Sequence, residues 1–464
     1  MEISKLFETA KDTDNRIASI NPNERMKETK DPCATININS QKTAQTFKGF
    51  GGAATESAGY VLSFLDEQKQ QELVALYYGN KNSNQYSFVR THMNSCDFSL
   101  GNWACVPQKD ETLESFSMER TDKYITPLLK KIYSGLTEQG KNCGTMVSTW
   151  SPPAWMKDNN NMNFGGHLLP EYKELWAKHF LKFFDELKKR GAQIDYVSIQ
   201  NEPAATQTWD SCLWTAEEEG EFATVHLGPL LEKNGYNKTK ILVWDHNRDL
   251  AWERFSASMK IKNADKYIAG IAYHWYTGDQ FENIKKIAEY FPSKEIIFSE
   301  GCVEGGARNG KWFTGERYAH NIINDLNSGC SLWFDWNLFL DFEGGSNHVG
   351  NNCDAPILIN TKTGEYAVQS SYYYIGHFSR FIKPGATRIK SSLLPCAVPS
   401  ASDGQMGNTF ECTSFKNPDG KIALVVCNRN EEAVSYKLEC DSRQISNAPL
   451  FCPAHAIQTI LIDI

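Results

Sequence analysis

Residues 295–301 read Glu295-Ile-Ile-Phe-Ser-Glu300-Gly301. Three consecutive apolar residues, β-branched or aromatic, then a polar pair and a glycine, are the pattern of a short strand buried on both faces. Seven other stretches repeat it: TFKGFGG (46–52), YSFVRTHM (86–93), GTMVSTW (144–150), YVSIQNE (196–202), KILVWDH (240–246), AGIAYHWY (269–276) and SLWFDWN (331–337). Each ends in polar or aromatic residues. Amphipathic helical patterns separate most of them. The clearest runs from Pro170, which suits a first helical turn, to Arg190. Tyr172, Leu175, Trp176, His179, Phe180, Phe183, Phe184 and Leu187 recur on one face, and Gly191 stops the helix. LDEQKQQELVALYYG and GERYAHNIINDLNSG read the same way. Eight strands alternating with helices predict an α/β fold, a parallel (β/α)8 TIM barrel, in preference to an open doubly wound sheet. Chemistry in such a barrel gathers at the carboxyl ends of the strands.

Beyond about residue 384 the texture becomes all-strand. TRIKSSLL, TFECTSFK, KIALVVCN, AVSYKLEC and AIQTILIDI are punctuated by turns such as Asn417-Pro-Asp-Gly420. We read an antiparallel β-sandwich over 385–464, joined by an N-terminal segment (1–45) whose one β-run lies near 34–46. The barrel would span 46–384. Residues 1 to about 32 look polar and aperiodic.

Composition bounds the rest. Of 464 residues, 48 are basic and 56 acidic, a formal charge of −8 that gives no basic stripe for nucleic acid. No run approaches the ~18 apolar residues of a membrane helix. The start MEISKLFETAKDTDNR lacks a signal-peptide core, so the reading is cytoplasmic, or secreted with the signal peptide absent from this sequence. The 13 cysteines form no C-x-x-C pair and read as reduced core thiols. Ten histidines show no metal-ligand spacing, so no metal is expected. Gly49-Phe-Gly51-Gly52-Ala53-Ala54 fits G-x-G-x-x-A, but a glycine-rich turn at the end of the first barrel strand explains it better than a dinucleotide loop. No cofactor is expected.

Two acids stand out. Glu202 lies in Ile199-Gln200-Asn201-Glu202-Pro203, and Glu300 closes the run quoted first. A lone strand-end glutamate is ordinarily a salt bridge. Two of them, on barrel strands four and seven, face one cavity from opposite sides. Paired carboxylates across a cavity serve glycoside hydrolysis: about 5–5.5 Å apart they retain configuration, and about 6.5–9.5 Å apart they invert it. Asn201 can bond a sugar hydroxyl beside the reacting carbon, and His274 and Tyr276 can orient or donate to Glu300.

The sequence resembles glycoside hydrolase family 30, which includes glucosylceramidases and β-1,6-glucanases. The resemblance covers roughly residues 46–390. It is carried by Gly49 to Ser57, Arg90 to Ser99, Ser148 to Lys157, Asn201-Glu202-Pro203, Ala272 to Tyr276, Ser299-Glu300-Gly-Cys302, Trp333 to Asn337 and Tyr374 to Ser379. It implies a retaining β-glycosidase acting on β-D-glucosyl linkages, with Glu202 as acid/base and Glu300 as nucleophile. Asp97 would accept from sugar hydroxyls, and Trp150, Asn201 and Trp336 would position the ring. Trp275 and Tyr276 would wall the pocket near the nucleophile, with Asn347 and Asn351 on the rim. The stretch from Thr206 to Glu219 departs from the glucosylceramidase pattern and is more similar to the β-1,6-glucanase branch. Trp209 then becomes a platform for the leaving group, and a glucan or small β-glucoside a better substrate than ceramide. β-Xylosidase, β-fucosidase and endo-galactanase activities share the same acid pair, and a carbohydrate-binding protein without turnover is the reading outside catalysis. Oligomeric state is not legible.

Overall fold

A computed structural model describes residues 1–27, 34–394 and 409–464. All eight quoted stretches form strands: Gly49–Ala53, Phe88–Met93, Gly144–Thr149, Gln193–Ser198, Lys240–Asn247, Ile268–His274, Glu295–Glu300 and Leu332–Asn337. They close into one barrel, strand eight beside strand one. The pairings are parallel, for example Arg90 opposite Met146 and Val197 opposite Ile241. Phe88, Met146, Tyr196, Leu242, Ala272, Ile297, Leu332 and Phe334 pack together inside, so the barrel is filled rather than hollow. Side chains at the carboxyl ends therefore have a solid floor.

The glycines of strand one differ from the expected turn, because they lie within the strand itself. A Cβ on Gly51 would sit 2.6 Å from the Phe88 carbonyl oxygen and 2.7 Å from the Phe334 ring. The first strand lacks side chains there so that its neighbours can approach. The following helix, Glu56–Leu62, is capped by Thr55 accepting from the Ala58 amide. Lys173–Lys189 is the expected amphipathic helix, entered through a 3₁₀ turn at Pro170–Tyr172. It buries Trp176, His179, Phe180, Phe183, Phe184 and Leu187, and Gly191 follows at φ +96°.

A second compact unit comprises Met1–Gly49, Gly310–Ser331 and Val368–Ile464. Its ten-stranded sheet encloses one core that takes Leu6 from the first strand, Ile36 and Ile38 from the next long one, and Leu424, Leu438 and Ile460 from the C-terminal strands. Ala34–Thr46 pairs antiparallel with Thr387–Leu394 and parallel with Val434–Cys440. Glu2–Ala10, in the segment read as aperiodic, is also a strand, paired along its length with Ala456–Asp463. Its buried positions include Glu8 and Thr9, which no hydrophobic pattern reveals. The eleven described cysteines are all buried, and none of them is in a disulfide. Among the described residues no helix is long and apolar enough to cross a membrane.

Candidate active site

At the carboxyl ends of the barrel strands lies a cleft lined by Asp97, Trp150, Asn201, Glu202, Trp209, Tyr276, Glu300, Trp336 and Asn351 among the residues expected. Phe98, Gln207, His246, Asn247, Cys302, Glu304 and Cys353 complete the lining.

Arg90, from strand two, organises its floor. The fully buried guanidinium donates to Glu300 Oε2 (2.5 Å), Asn201 Oδ1 (2.9 Å), Asp245 Oδ2 (3.0 Å) and Ser148 Oγ (3.0 Å). A planar fork of five donors can hold several acceptors at fixed angles, which a lysine cannot. It also sits 5.1 Å from the Trp150 ring and 5.2 Å from the Trp336 ring. Those two indoles stack on each other, centroids 5.4 Å apart.

Local irregularities aim the acids. The pairing of strands six and seven shifts register between Phe298 and Glu300, so Ser299 is the extra residue and Glu300 is turned inward. Strand five shifts between Trp244 and His246, where Trp244 (φ +75°) and Asp245 (φ +49°) both adopt left-handed backbone. Asp245 thereby reaches Arg90, the Ser299 hydroxyl (2.5 Å) and His274 Nε2 (3.1 Å). Glu202 is itself left-handed (φ +50°), its amide donating to the Asp245 carbonyl at 3.0 Å. Non-glycine residues pay of order 1 kcal/mol or more for such backbone, and cluster at working sites.

Glu300 Oε1 accepts from the Tyr276 hydroxyl at 3.0 Å. Glu202 Oε1 accepts from His274 Nδ1 at 3.3 Å and Oε2 from Gln207 at 3.4 Å. His274 Nε2 lies 4.0 Å from Glu300 Oε2, so one ring touches both acids. Because both ring nitrogens face carboxylates, which only accept, both carry protons. Burial pushes His274 down, but Glu300, Asp245 and Glu202 together raise it to about 9. Burial likewise pushes Glu202 up, and is outweighed by the His274 hydrogen bond, the charge His246 carries once acid protonates it, and the charge of His274, which bring it to about 2. For Glu300 burial prevails: His274 and Arg90 pull down, the Glu202 charge pushes up, and the net direction is upward. Glu300 still accepts on both oxygens, as an ionised carboxylate does.

Three expectations change. Trp275 does not wall the pocket. It is buried against Phe298 and Trp333, its Nε1 donating to the Cys302 carbonyl at 3.1 Å, because strand alternation sends it away from His274 and Tyr276. Asn347 stands behind the rim, donating to Asp97 Oδ2 at 3.4 Å and accepting from the amides of Val349 and Asn351. His274 holds Glu202 and Asp245 more closely than Glu300. Asn351 also donates to Asp97 (3.2 Å), whose carboxyl burial pushes well above its ordinary range. Arg90, Asp245, His246, Asn247 and Gln207 were not singled out as site residues by sequence reasoning. The Asp245 signal was a charged residue at the end of an apolar barrel strand, a position shared with both glutamates.

Residues 47–382 match the glycosyl hydrolase family 30 TIM-barrel domain, and residues 385–460 the glycosyl hydrolase family 30 beta sandwich domain. The chain is 31% identical to lysosomal acid glucosylceramidase of Mus musculus over 445 residues, 92% of this chain and 83% of that protein. Among solved structures, SrfJ from Salmonella typhimurium is 33% identical with a TM-score of 0.89, and the endo-β1,6-glucanase BT3312 is 26% identical with a TM-score of 0.83. Each of these two covers 99% of both chains. The chain belongs to glycoside hydrolase family 30.

Proposed function

We propose that this family 30 glycoside hydrolase cleaves β-D-glucosyl linkages with retention, Glu300 attacking the anomeric carbon and Glu202 protonating the departing oxygen, and that its leaving group is a sugar, as in a β-1,6-glucan. The observation that carries the reading is His274, a single buried ring in contact with both carboxylates across one cleft.

The division of labour follows from the partners. Arg90 and Tyr276 hold Glu300 on both oxygens, which restricts it to one direction of attack. Glu202 has longer contacts and stands closer to solvent, with 14% of its side chain exposed against 7% for Glu300. Before substrate binds, the shared proton rests on His274 and Glu202 is ionised. Passing that proton from Nδ1 to Oε1 across their 3.3 Å contact makes Glu202 the acid and leaves Glu300 ionised. The C–O bond then breaks as Glu300 bonds to the anomeric carbon and the leaving oxygen takes the proton. Once the glycosyl ester forms, Glu300 loses its charge, and ionised Glu202 takes a proton from the water that hydrolyses it. The stacked Trp150 and Trp336 offer the glucosyl ring an apolar face. Asp97 and Asn201 supply polar contacts at its hydroxyls.

Besides Gln207, which bonds Glu202, the cleft lining includes Trp209, His246 and Asn247. One aromatic face among three hydrogen-bonding side chains suits a second sugar better than a lipid. The likeness to the endo-β1,6-glucanase over the full length of both chains supports the same substrate class. The test is product analysis on pustulan, glucosylceramide and an aryl β-glucoside, with the first-formed anomer followed by NMR. We expect pustulan to be cut and β-anomer to appear first. Early α-anomer means inversion and removes the mechanism; cleavage of glucosylceramide alone removes the sugar leaving group.

A further inference from the structure

We propose that His246 binds a hydroxyl of the leaving sugar and so sets which leaving groups this enzyme accepts. The inference rests on the sugar leaving group argued above.

His246 follows the strand-five irregularity and lines the cleft. Its ring is fixed without hydrogen bonds, tilted against Trp244 with centroids 4.9 Å apart and edge-on to His274 at 6.4 Å. Nδ1 is sealed from solvent and has no partner. Its neighbours at this end of the barrel differ: His274, Asp245, Glu202 and Glu300 are all hydrogen-bonded. A buried polar atom left unpaired costs about 1–3 kcal/mol, so a ring serving only as packing would be better as phenylalanine. The nitrogens are explained if the ring's open edge serves a ligand.

The protonation state fits this use. Burial and the charges of His274 and Arg254 push His246 down, against the pull of Glu202 and Asp249, which favours a neutral imidazole. A neutral ring has one N–H. Placing it on sealed Nδ1 would orphan a donor, and orphaned donors are rarer than under-used acceptors. The proton therefore belongs on Nε2, which is not sealed as Nδ1 is, in a ring that lines the cleft. There it is an uncharged donor on the Glu202 side, matched to a sugar hydroxyl oxygen and useless to an alkyl chain.

The test compares kcat/KM on a β-1,6-linked gluco-oligosaccharide with kcat/KM on 4-nitrophenyl β-glucoside, whose leaving group carries no hydroxyl beyond the scissile oxygen. His246→Phe keeps the packing on Trp244 and removes both nitrogens. It should lower the ratio of the two constants about ten-fold, the size of one lost hydrogen bond. His246→Gln, which restores a donor, should recover part of that ratio; it also gives the reading if the phenylalanine variant does not fold. Equal losses on both substrates, or an unchanged ratio in a variant that melts like the parent, overturn the proposal. Failure of the parent enzyme to cut the oligosaccharide at all overturns the sugar leaving group itself, before any variant is made, and this proposal with it.

Discussion

Glu8 in the sandwich unit and Glu300 in the barrel are both buried glutamates paired with an arginine, yet their surroundings push them in opposite directions. Glu8 accepts from Arg25 Nε (2.7 Å) and Nη2 (2.6 Å), from Asn15 (2.8 Å) and from Gln458 (2.9 Å). Burial raises its pKa, but these donors outweigh it and the net direction is downward. Glu300 accepts from Arg90 and Tyr276, has a second acid nearby, and is pushed upward. A carboxylate offers about four acceptor positions. Where all four are filled the group is structural. Where two are filled and the group lines a cleft, it keeps acceptor positions free, as the nucleophile we propose requires.

The comparison breaks most sharply on substitution. Glu300→Gln should lose turnover on an aryl β-glucoside by roughly 10⁴-fold or more while melting like the parent. Glu202→Ala should lose about 10²- to 10⁴-fold on a sugar leaving group. It should lose much less on nitrophenyl glucoside, and azide should accelerate the latter; equal losses on both would mean Glu202 is not the acid. Glu8→Ala should reverse the pattern. It leaves Arg25 unpaired beside a buried position and should cost about 3–5 kcal/mol in a urea melt, with kcat of the folded fraction retained.

The pH profile sharpens the same contrast. Glu300 must be ionised and its pKa is raised, so the acid limb of kcat/KM should lie above the ordinary glutamate value. If, as proposed, His274 holds the proton that Glu202 delivers, activity should fall as pH rises through about 9. His274→Asn leaves that proton to Glu202 alone and should draw the alkaline limb toward lower pH. An unmoved limb would place the donated proton elsewhere. The smallest effect belongs to Gln458→Leu, which removes one donor from Glu8 and should cost about 1–3 kcal/mol without altering the profile.

Much of the barrel was legible because each strand is a short apolar run closed by a polar residue, and burial on both faces leaves that composition little freedom. Glu202 and Glu300 were legible for the same reason: a charge at the end of such a run has only the carboxyl rim to occupy. Trp275 was misplaced although period-two alternation between His274 and Tyr276 sends it outward. Asp245 and His246 resisted reading for a different cause. The left-handed pair Trp244–Asp245 shifts the register by one, and no periodicity announces a bulge. The strand Glu2–Ala10 escaped because its buried positions, on both faces, include Glu8 and Thr9, satisfied by partners as distant as Gln458 and the His377 ring.

What the amino-acid order determined by itself was the number of barrel strands, their order and the two acids at their ends, since hydrophobic period and strand-end chemistry are local. Only the folded chain decided which acid Arg90 grips, which one His274 hydrogen-bonds, and that His246 lines the cleft with its Nδ1 unpaired. Those outcomes depend on distances between residues 72 positions apart (Glu202 and His274) to 210 (Arg90 and Glu300), and on bulges whose strain is tolerated only because the packed barrel around them leaves no alternative.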